Sequence, residues 1–315
     1  MLRVFLFLAL CVGFWAPVAN GAIPLGVYGN HTSFDRLTGQ RTQSEAIFIG
    51  WDQGRTWGKP YSYFLDGLGD QPHVALKTER ARGGAGLSPR SIALGQGDAH
   101  LIGLAQAIAV SGKPVIVRPF PEMNNYDNNY CAFNSNGRRR DTSRSTLWNK
   151  RAFQRVYILM HGGTAAFMSA KLRARKMPGV AVDLPPNPYP NMTVVWNPLG
   201  IGEPPVAGNG YRDYYPGGAY HDAYGNNYYN TTGTYAWHVT TSLYRAFPRK
   251  PFMFPEWGLT LDDPGYVRSF ATFVRQHRRV RFASFYNGSP GSVYDLRRKP
   301  KSLAAYRRYV VPLGR

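Results

Sequence analysis

The sequence contains little cysteine and no recognisable metal-binding pattern. Of its 315 residues only Cys11 and Cys131 are cysteines, and Cys11 lies in an apolar segment at the start of the chain. We therefore expect no internal disulfide, so stability must come from a large buried core. The seven histidines show no H-E-x-x-H or other tight ligand spacing, and a cysteine-ligated zinc site is excluded. We expect no metal and no organic cofactor.

Acidic side chains are also scarce. Eighteen Asp and Glu stand against 38 Lys and Arg, which gives a formal net charge of +20. Such a charge attracts nucleic acid, anionic lipid or acidic polysaccharide, although it is equally typical of the soluble surface of a high-pI exported protein. No helix-turn-helix, zinc-finger or RNP-like segment is visible, so no nucleic-acid partner is expected. The basic residues are concentrated in three places, namely Arg80 with Arg82, Arg138 to Arg140, and Arg278–Arg279 with Arg281.

The chain has no apolar run long enough to span a bilayer. A short basic start precedes the apolar run Val4 to Trp15, and small residues then lead to Ala22. This layout predicts a secretory signal peptide over residues 1–21 and a secreted or periplasmic protein without stable membrane insertion. A buried N-terminal strand or an uncleaved anchor is the alternative interpretation.

The remaining sequence, residues 22–315, is typical of one folded domain. It is rich in aromatic residues, which excludes a disordered chain. Short apolar runs, in which apolar and polar residues do not alternate, predict strands that are buried on both faces. Between many of them lie stretches in which apolar residues recur with the period of an α-helix. Strands that alternate with helices eight times predict a closed (β/α)₈ TIM barrel in a single domain. The predicted strands are Ile23–Tyr28, Ala46–Trp51, His73–Leu76, Pro114–Arg118, Met192–Trp196, Tyr220–Gly225, Pro251–Pro255 and Val280–Phe285, and the predicted helices are Ala99–Val110, Thr146–Met160, Tyr235–Phe247 and Asp263–His277.

Two of the five glutamates follow predicted strands directly. Glu122 comes after the fourth strand and Glu256 after the seventh, each among Pro and aromatic residues. The C-terminal ends of barrel strands form the active face of this fold. A pair of carboxyl groups at that face is what a glycosidase requires, because one protonates the leaving oxygen and the other attacks or stabilises the anomeric carbon. Each glutamate alone could equally be a salt-bridged strand end.

The segment from Lys113 to Asn124, K-P-V-I-V-R-P-F-P-E-M-N, resembles the fourth-strand motif of glycoside hydrolase family 26, the β-mannanase-type TIM barrels. Further segments are similar to family motifs and follow in the same order across roughly residues 23 to 290. They are Gly97–Asp98, the V-V-W-N-P stretch ending at Pro198, the Y-Y-P-G stretch ending at Gly217, the stretch from Tyr220 to Asn230, and the P-F-M-F-P-E-W-G stretch ending at Gly258.

The resemblance implies a function and a set of site residues. It implies a retaining glycoside hydrolase that cleaves a β-linked polysaccharide, with Glu122 as general acid/base and Glu256 as nucleophile, about 5–5.5 Å apart. Tyr229 would hydrogen-bond the nucleophile, and Arg118 would lie beneath the site and favour an ionised carboxylate. Further substrate contacts are expected from Asn124, Arg80, and the rings of Trp196 and Trp257, which could stack on sugars.

This sequence departs from the family pattern at two positions. Pro121 replaces the histidine that precedes the acid/base, and Asn227 stands where the family usually has Asp. These changes are compatible with a divergent glycosidase, and also with a non-catalytic polysaccharide-binding protein on the same barrel. The basic loops leave an acidic exopolysaccharide open as substrate beside a neutral mannan-type glycan. We expect the protein to be a monomer.

Overall fold

The structure is a computed structural model, and it describes residues 21–51, 61–80 and 86–314. The predicted signal peptide lies almost wholly outside the described residues, as do Arg82 and the side chain of Arg80. The strands are β1 (Leu25–Tyr28), β2 (Ser44–Trp51), β3 (His73–Arg80), β4 (Val115–Pro119), β5 (Met192–Trp196), β6 (Ala223–Gly225), β7 (Tyr228–Asn230), β8 (Phe252–Leu259) and β9 (Val280–Tyr286).

All strand pairs are parallel, and the sheet closes on itself. Each strand from β1 to β6 pairs with the next, β6 pairs with β8, β8 with β9, and β9 returns to β1. The short strand β7 pairs only with the C-terminal half of β8. Strands β6 and β7 therefore form one barrel position interrupted at Asn226 and Asn227. The result is the eight-position TIM barrel that the sequence predicts.

Helices surround the barrel. Their limits are α1 (His31–Thr38), α2 (Tyr61–Gly67), α3 (Pro89–Ala93), α4 (Asp98–Ser111), α5 (Thr146–His161), α6 (Ala165–Arg173), α7 (Trp237–Ala246), α8 (Pro264–Gln276) and α9 (Pro300–Ala305). The four predicted helices correspond to α4, α5, α7 and α8. Ser145 and Asp263 cap α5 and α8 by accepting hydrogen bonds from backbone N–H groups of the first turn.

The core has two layers. Most buried apolar side chains lie between the strands and the helices, where they include Phe254, Trp257 and Phe270. A second, small cluster fills the inside of the barrel with one residue from each of five strands, namely Ile116, Val195, Ala223, Met253 and Phe282. Because successive residues of a regular strand point to opposite faces, this cluster identifies which residues of β4, β5, β6 and β9 face inward.

Two long loops follow β4 and β5. Arginine side chains support the first of them by donating to backbone carbonyl groups: Arg140 Nη1 to Asn128 O at 2.9 Å and Arg144 Nε to Asn129 O at 2.8 Å. None of the helices in the described ranges has the length and apolar character needed to cross a membrane.

Candidate active site

Glu122 lies in a turn directly beyond the C-terminal end of β4. The backbone of Phe120 has a φ of 49° and that of Glu122 a φ of 52°, so both adopt the left-handed conformation that non-glycine residues rarely use. The N–H of Glu122 donates to the carbonyl oxygen of Asn197 at 2.9 Å, which ties this turn to the end of β5. Backbone strain of this kind persists only where the surrounding structure enforces it, and it is concentrated at functional sites.

The carboxyl group of Glu122 is held by neutral amide donors. Asn227 Nδ2 donates to Oε1 at 2.6 Å and Asn125 Nδ2 to Oε2 at 3.1 Å. Burial, followed by the nearby negative charge of Glu256, raises the pKa of Glu122, while Arg118 and the two amides act in the opposite direction. The net effect extends the protonated form of Glu122 to higher pH, as a general acid requires.

Glu256 lies within β8 at an irregular point of the strand. Pro255 has no N–H to contribute to the ladder, and the register between β8 and β9 shifts between Phe254 and Trp257. The strand continues to Leu259, so Glu256 lies inside the strand and not after its end as the sequence suggested. Its carboxyl group faces the same cleft as Glu122.

Both oxygens of the Glu256 carboxyl group accept strong hydrogen bonds. Arg118 Nη1 donates to Oε2 at 2.6 Å, and the Tyr229 hydroxyl donates to Oε1 at 2.5 Å. Burial, followed by the charge of Glu256, raises the pKa of Tyr229 well above its ordinary value, so the phenol remains a donor. The guanidinium and the phenol fix the carboxyl group in orientation and leave its exposed edge toward the cleft.

Arg118 is itself enclosed by three further elements of the barrel. It is fully buried, and it donates through Nε to Asn197 Oδ1 at 2.5 Å and through Nη1 to the Tyr28 hydroxyl at 2.9 Å. Arg118 therefore links β1, β5 and β8 beneath the site. Arg118 contacts Glu256 from beneath the cleft.

Asn197 connects the two glutamates and was not singled out by the sequence reasoning. Its carbonyl oxygen accepts from the N–H of Glu122, its Oδ1 accepts from Arg118, and its Nδ2 donates to Gly225 O at 3.1 Å. A signal for it existed in the V-V-W-N-P motif, because a polar residue directly after a buried strand lies at the active face of the barrel.

The two glutamates line one cleft of about 630 Å³. Aromatic and polar side chains form much of its wall, and four carboxyl groups face it. Its lining consists of Phe48, Glu122, Asn125, Asp127, Leu199, Glu203, Asn227, Tyr228, Tyr229, Thr231, Glu256, Tyr286 and Tyr294. No Lys or Arg belongs to this lining among the described residues.

A second cavity of about 580 Å³ adjoins the cleft beyond Phe48 and Tyr286, which line both. Its walls come from the loops after β1 and β9 and include Asn30, Ser33 and Asn287. The ring of Phe48 is 37% exposed between the two spaces and stacks on Tyr28 with centroids 4.8 Å apart. The described surface therefore offers a groove with room for more than one sugar ring.

The structure contradicts the expected sugar platforms. Trp196 and Trp257 are both buried, and their rings pack into the layer between strands and helices. Trp257 stacks on Phe270 of α8 with centroids 3.6 Å apart, and Trp196 Nε1 donates to the sulfur of Met123 at 3.1 Å. Since Glu256 faces the cleft, its neighbour Trp257 must point to the opposite face of the strand.

Asn124 also differs from its expected role. It is fully buried, and its side-chain amide accepts from Leu199 N at 2.7 Å and donates to Leu199 O at 3.0 Å. It holds the loop after β5 against the loop after β4 and does not contact the cleft. Its role is therefore to position the loops and not to bind substrate.

The basic residues singled out in the sequence do not line the described part of the cleft. The guanidinium of Arg140 donates to the loop backbone at Tyr126 O. The Cζ atom of Arg139 lies 5.1 Å from the ring centroid of Phe133, and Arg138 is exposed. A further basic residue, Lys77 of β3, lies 4.0 Å from Glu79. The side chain of Arg80 lies outside what the structure describes. In the same described ranges, no cluster of His, Cys, Asp and Glu is suited to hold a metal ion.

The chain therefore belongs to the class of TIM-barrel proteins, and solved mannanase structures share this fold. The chain is similar to Bacillus subtilis mannanase BCman, with a TM-score of 0.55 and 17% identity over 92% of this chain and 86% of that one. It is also similar to a Cellulomonas fimi endo-β-1,4-mannanase double mutant, with a TM-score of 0.57 and 15% identity over 91% of this chain and 70% of that one. A family 26 β-mannanase from Bacteroides ovatus is similar with a TM-score of 0.55 and 12% identity over 94% of this chain and 87% of that one.

No family model matches the chain, and no curated protein sequence is similar to it. At identities of 12% to 17% the solved structures establish the fold. The predicted TIM barrel is thereby confirmed.

Proposed function

We propose that this protein is a divergent family 26 glycoside hydrolase that cleaves a β-linked, mannan-type polysaccharide with retention of configuration. The observation that carries the proposal is the unequal pair of carboxyl groups in one cleft. Glu256 is clamped by Arg118 and Tyr229, whereas Glu122 is held by amides and has a raised pKa. Two carboxyl groups in such different environments are suited to different chemical roles.

In the first step Glu122 acts as the acid. Its proton passes to the glycosidic oxygen as the bond to the anomeric carbon breaks, and the sugar leaving group departs with a hydroxyl. Glu256 attacks the anomeric carbon from the opposite side and forms a covalent glycosyl–enzyme ester. Arg118 and Tyr229 keep the attacking carboxylate oriented while its charge is transferred into the new bond.

In the second step Glu122 acts as the base. The ionised carboxylate removes a proton from a water molecule, which attacks the anomeric carbon and releases Glu256. The amide groups of Asn227 and Asn125 stabilise Glu122 in its ionised form between the two steps. Besides the substrate and one water molecule, the two steps use only side chains of this protein.

The cleft favours a neutral substrate over an acidic one. Four carboxyl groups, those of Glu122, Asp127, Glu203 and Glu256, line it without a lysine or arginine among the described residues. Uronate or sulfate groups would be repelled there. The adjoining cavity beyond Phe48 favours a polymer over a short oligosaccharide.

The proposal also includes that the protein is exported and that it is a monomer. The signal-peptide layout of residues 1–21 supports a secreted or periplasmic location, where polysaccharides are met.

The test compares sugar release by the wild type with that of two variants. Reducing ends would be measured on galactomannan, mixed-linkage β-glucan and alginate. We expect release from galactomannan by the wild type, no release by Glu256→Ala, and retained release by the matched control Glu203→Gln. Glu203 lines the same cleft but has no bond to Arg118 or Tyr229. Equal activity of the wild type and Glu256→Ala would contradict the proposed nucleophile.

A non-catalytic polysaccharide-binding protein is the second candidate, and Pro121 favours it. Pro121 is buried, and its carbonyl oxygen accepts from the Tyr130 hydroxyl at 2.6 Å and from Asn128 Nδ2 at 3.2 Å. No imidazole is therefore present beside Glu122 at this point of the cleft. If neither the wild type nor Glu256→Ala releases sugar and both bind galactomannan with the same affinity, the binding function replaces the enzymatic one.

A further inference from the structure

The arginines near residue 280 lie at the end of the barrel opposite the cleft. Arg279 and Arg281 flank Val280, the first residue of β9, and Arg249 lies three residues before the first residue of β8. Because the strands are parallel and the cleft lies at their C-terminal ends, these residues belong to the N-terminal face. None of them can contact a substrate held by Glu122 and Glu256.

Five exposed arginines lie in the last turns of α7 and α8 and in the segments that follow these helices, and we call this set the basic face: Arg245, Arg249, Arg275, Arg278 and Arg281. The two helices lie side by side, since Trp237 of α7 stacks on Phe273 of α8 with centroids 4.9 Å apart. Arg245 and Arg279 both act electrostatically on His277, which places the ends of the helices together.

The segments of the chain that carry the basic face contain no acidic side chain. Residues 231–255 and 264–294 contain no Asp or Glu at all. None of the five arginines forms an ion pair with a described residue. Arg279, by contrast, is half-buried and structural, because its guanidinium donates to the carbonyl oxygens of Tyr244, Phe247 and Lys250. It holds the end of α7 against the start of β8 and thereby keeps the surrounding arginines in place.

The chemistry of the basic face selects among anionic partners. Membrane-surface attachment combines basic residues with inserted apolar side chains, and the exposed large apolar residues in the described ranges all lie elsewhere. Single-stranded nucleic acid needs exposed aromatic rings for base stacking, and the basic face has none of these either. Guanidinium groups pair with carboxylates through two parallel hydrogen bonds, which suits a polymer of uronate sugars.

We infer that the basic face is a second binding surface, specific for a carboxylate-bearing polysaccharide, on the side of the barrel opposite the cleft. The anionic polymer that the composition suggests thus binds at the N-terminal face of the barrel, and the acid-lined cleft at the C-terminal face remains free for a neutral polysaccharide. The inference does not depend on the proposed reaction, because no residue of the basic face belongs to the cleft.

The test measures binding of polygalacturonate by calorimetry at about 0.15 M salt, where exposed charges interact only over about 8 Å. One variant is Arg245→Gln/Arg249→Gln/Arg278→Gln, whose side chains make no hydrogen bond with residues 21–51, 61–80 or 86–314. The matched control is Arg90→Gln/Arg138→Gln/Arg173→Gln, three exposed arginines on other elements. We expect the first triple variant to weaken binding about tenfold, since three charge-assisted contacts are lost, and the control to change it less than about twofold.

Three results would overturn the inference. One is an equal loss in both triple variants, since binding would then follow net charge alone. Another is an absence of binding by the wild type. The third is equally tight binding of duplex DNA or of vesicles of phosphatidylcholine with phosphatidylglycerol that also depends on the basic face. Glu256→Ala should bind polygalacturonate like the wild type, which separates this result from the outcome of the cleft experiment.

Discussion

Glu122 and Glu256 face one cleft, but the barrel holds them by different means. Glu256 lies inside a strand and receives a cationic and a phenolic donor from two other strands. Glu122 lies in a strained turn and receives two neutral amides. The comparison shows how one fold can keep one carboxyl group ready to attack and another ready to exchange a proton. Each of the following variants alters one side of this difference.

The largest effect is expected from Arg118→Lys. The arginine donates to Glu256, Asn197 and Tyr28 at once, and a lysine ammonium cannot reproduce this planar arrangement. We expect kcat on galactomannan to fall about 10²- to 10³-fold, as when a preorganised donor is removed from an active site. Unchanged kinetics in a variant whose circular dichroism matches the wild type would show that the clamp on Glu256 is not needed.

A smaller loss is expected from Tyr229→Phe. The change removes one donor to Glu256 and leaves the ring, which packs against Tyr286 and Tyr294. A hydrogen bond to a charged group contributes about 1.5–3 kcal/mol, so kcat should fall about 10- to 100-fold with little change in KM. A rise in KM at constant kcat would instead assign Tyr229 to substrate binding.

The smallest change in rate is expected from Asn227→Asp, which alters the other side of the comparison. Asn227 donates to the ionised form of Glu122, so its hydrogen bond lowers the pKa of that group. An aspartate removes the donor and adds a negative charge, so the pKa of Glu122 rises further.

Because the acid step needs protonated Glu122, the alkaline limb of the kcat/KM profile should move to higher pH in this variant. The change in kcat/KM at neutral pH should stay within about tenfold. Asn227→Ala, which removes the donor without adding charge, serves as the control and should shift the limb less. A limb that moves to lower pH would contradict the assignment of Glu122 as the acid.

Much of the fold could be predicted because buried parallel strands have a simple sequence pattern. All eight predicted strands are present, since apolar runs bounded by turn residues are typical of strands covered on both faces. The interruption between β6 and β7 could not be predicted, because it depends on contacts of Asn226 with Met253 O and Thr240. The short helices α1, α3 and α9 lack the length at which a hydrophobic period becomes visible.

The sequence predicts the level of a site residue in the barrel, because that level follows from its position along a strand. It did not predict correctly the face of the strand to which each side chain points. Glu122, Arg118 and Tyr229 lie at the expected level of the barrel. Trp257 was misassigned because its alternation with Glu256 was not applied, although it places the ring on the helix side. Asn197 acts through long-range contacts with Arg118 and Glu122, which sequence spacing cannot show.

The left-handed backbone at Glu122 has a consequence for any attempt to make this protein more resistant to heat. A glutamate in this conformation costs on the order of 1 kcal/mol that a glycine would not. A library screened for thermal tolerance alone would therefore enrich glycine or asparagine at position 122 and lose the proposed acid. Position 122 is a place where selection for durability and selection for turnover should favour different residues.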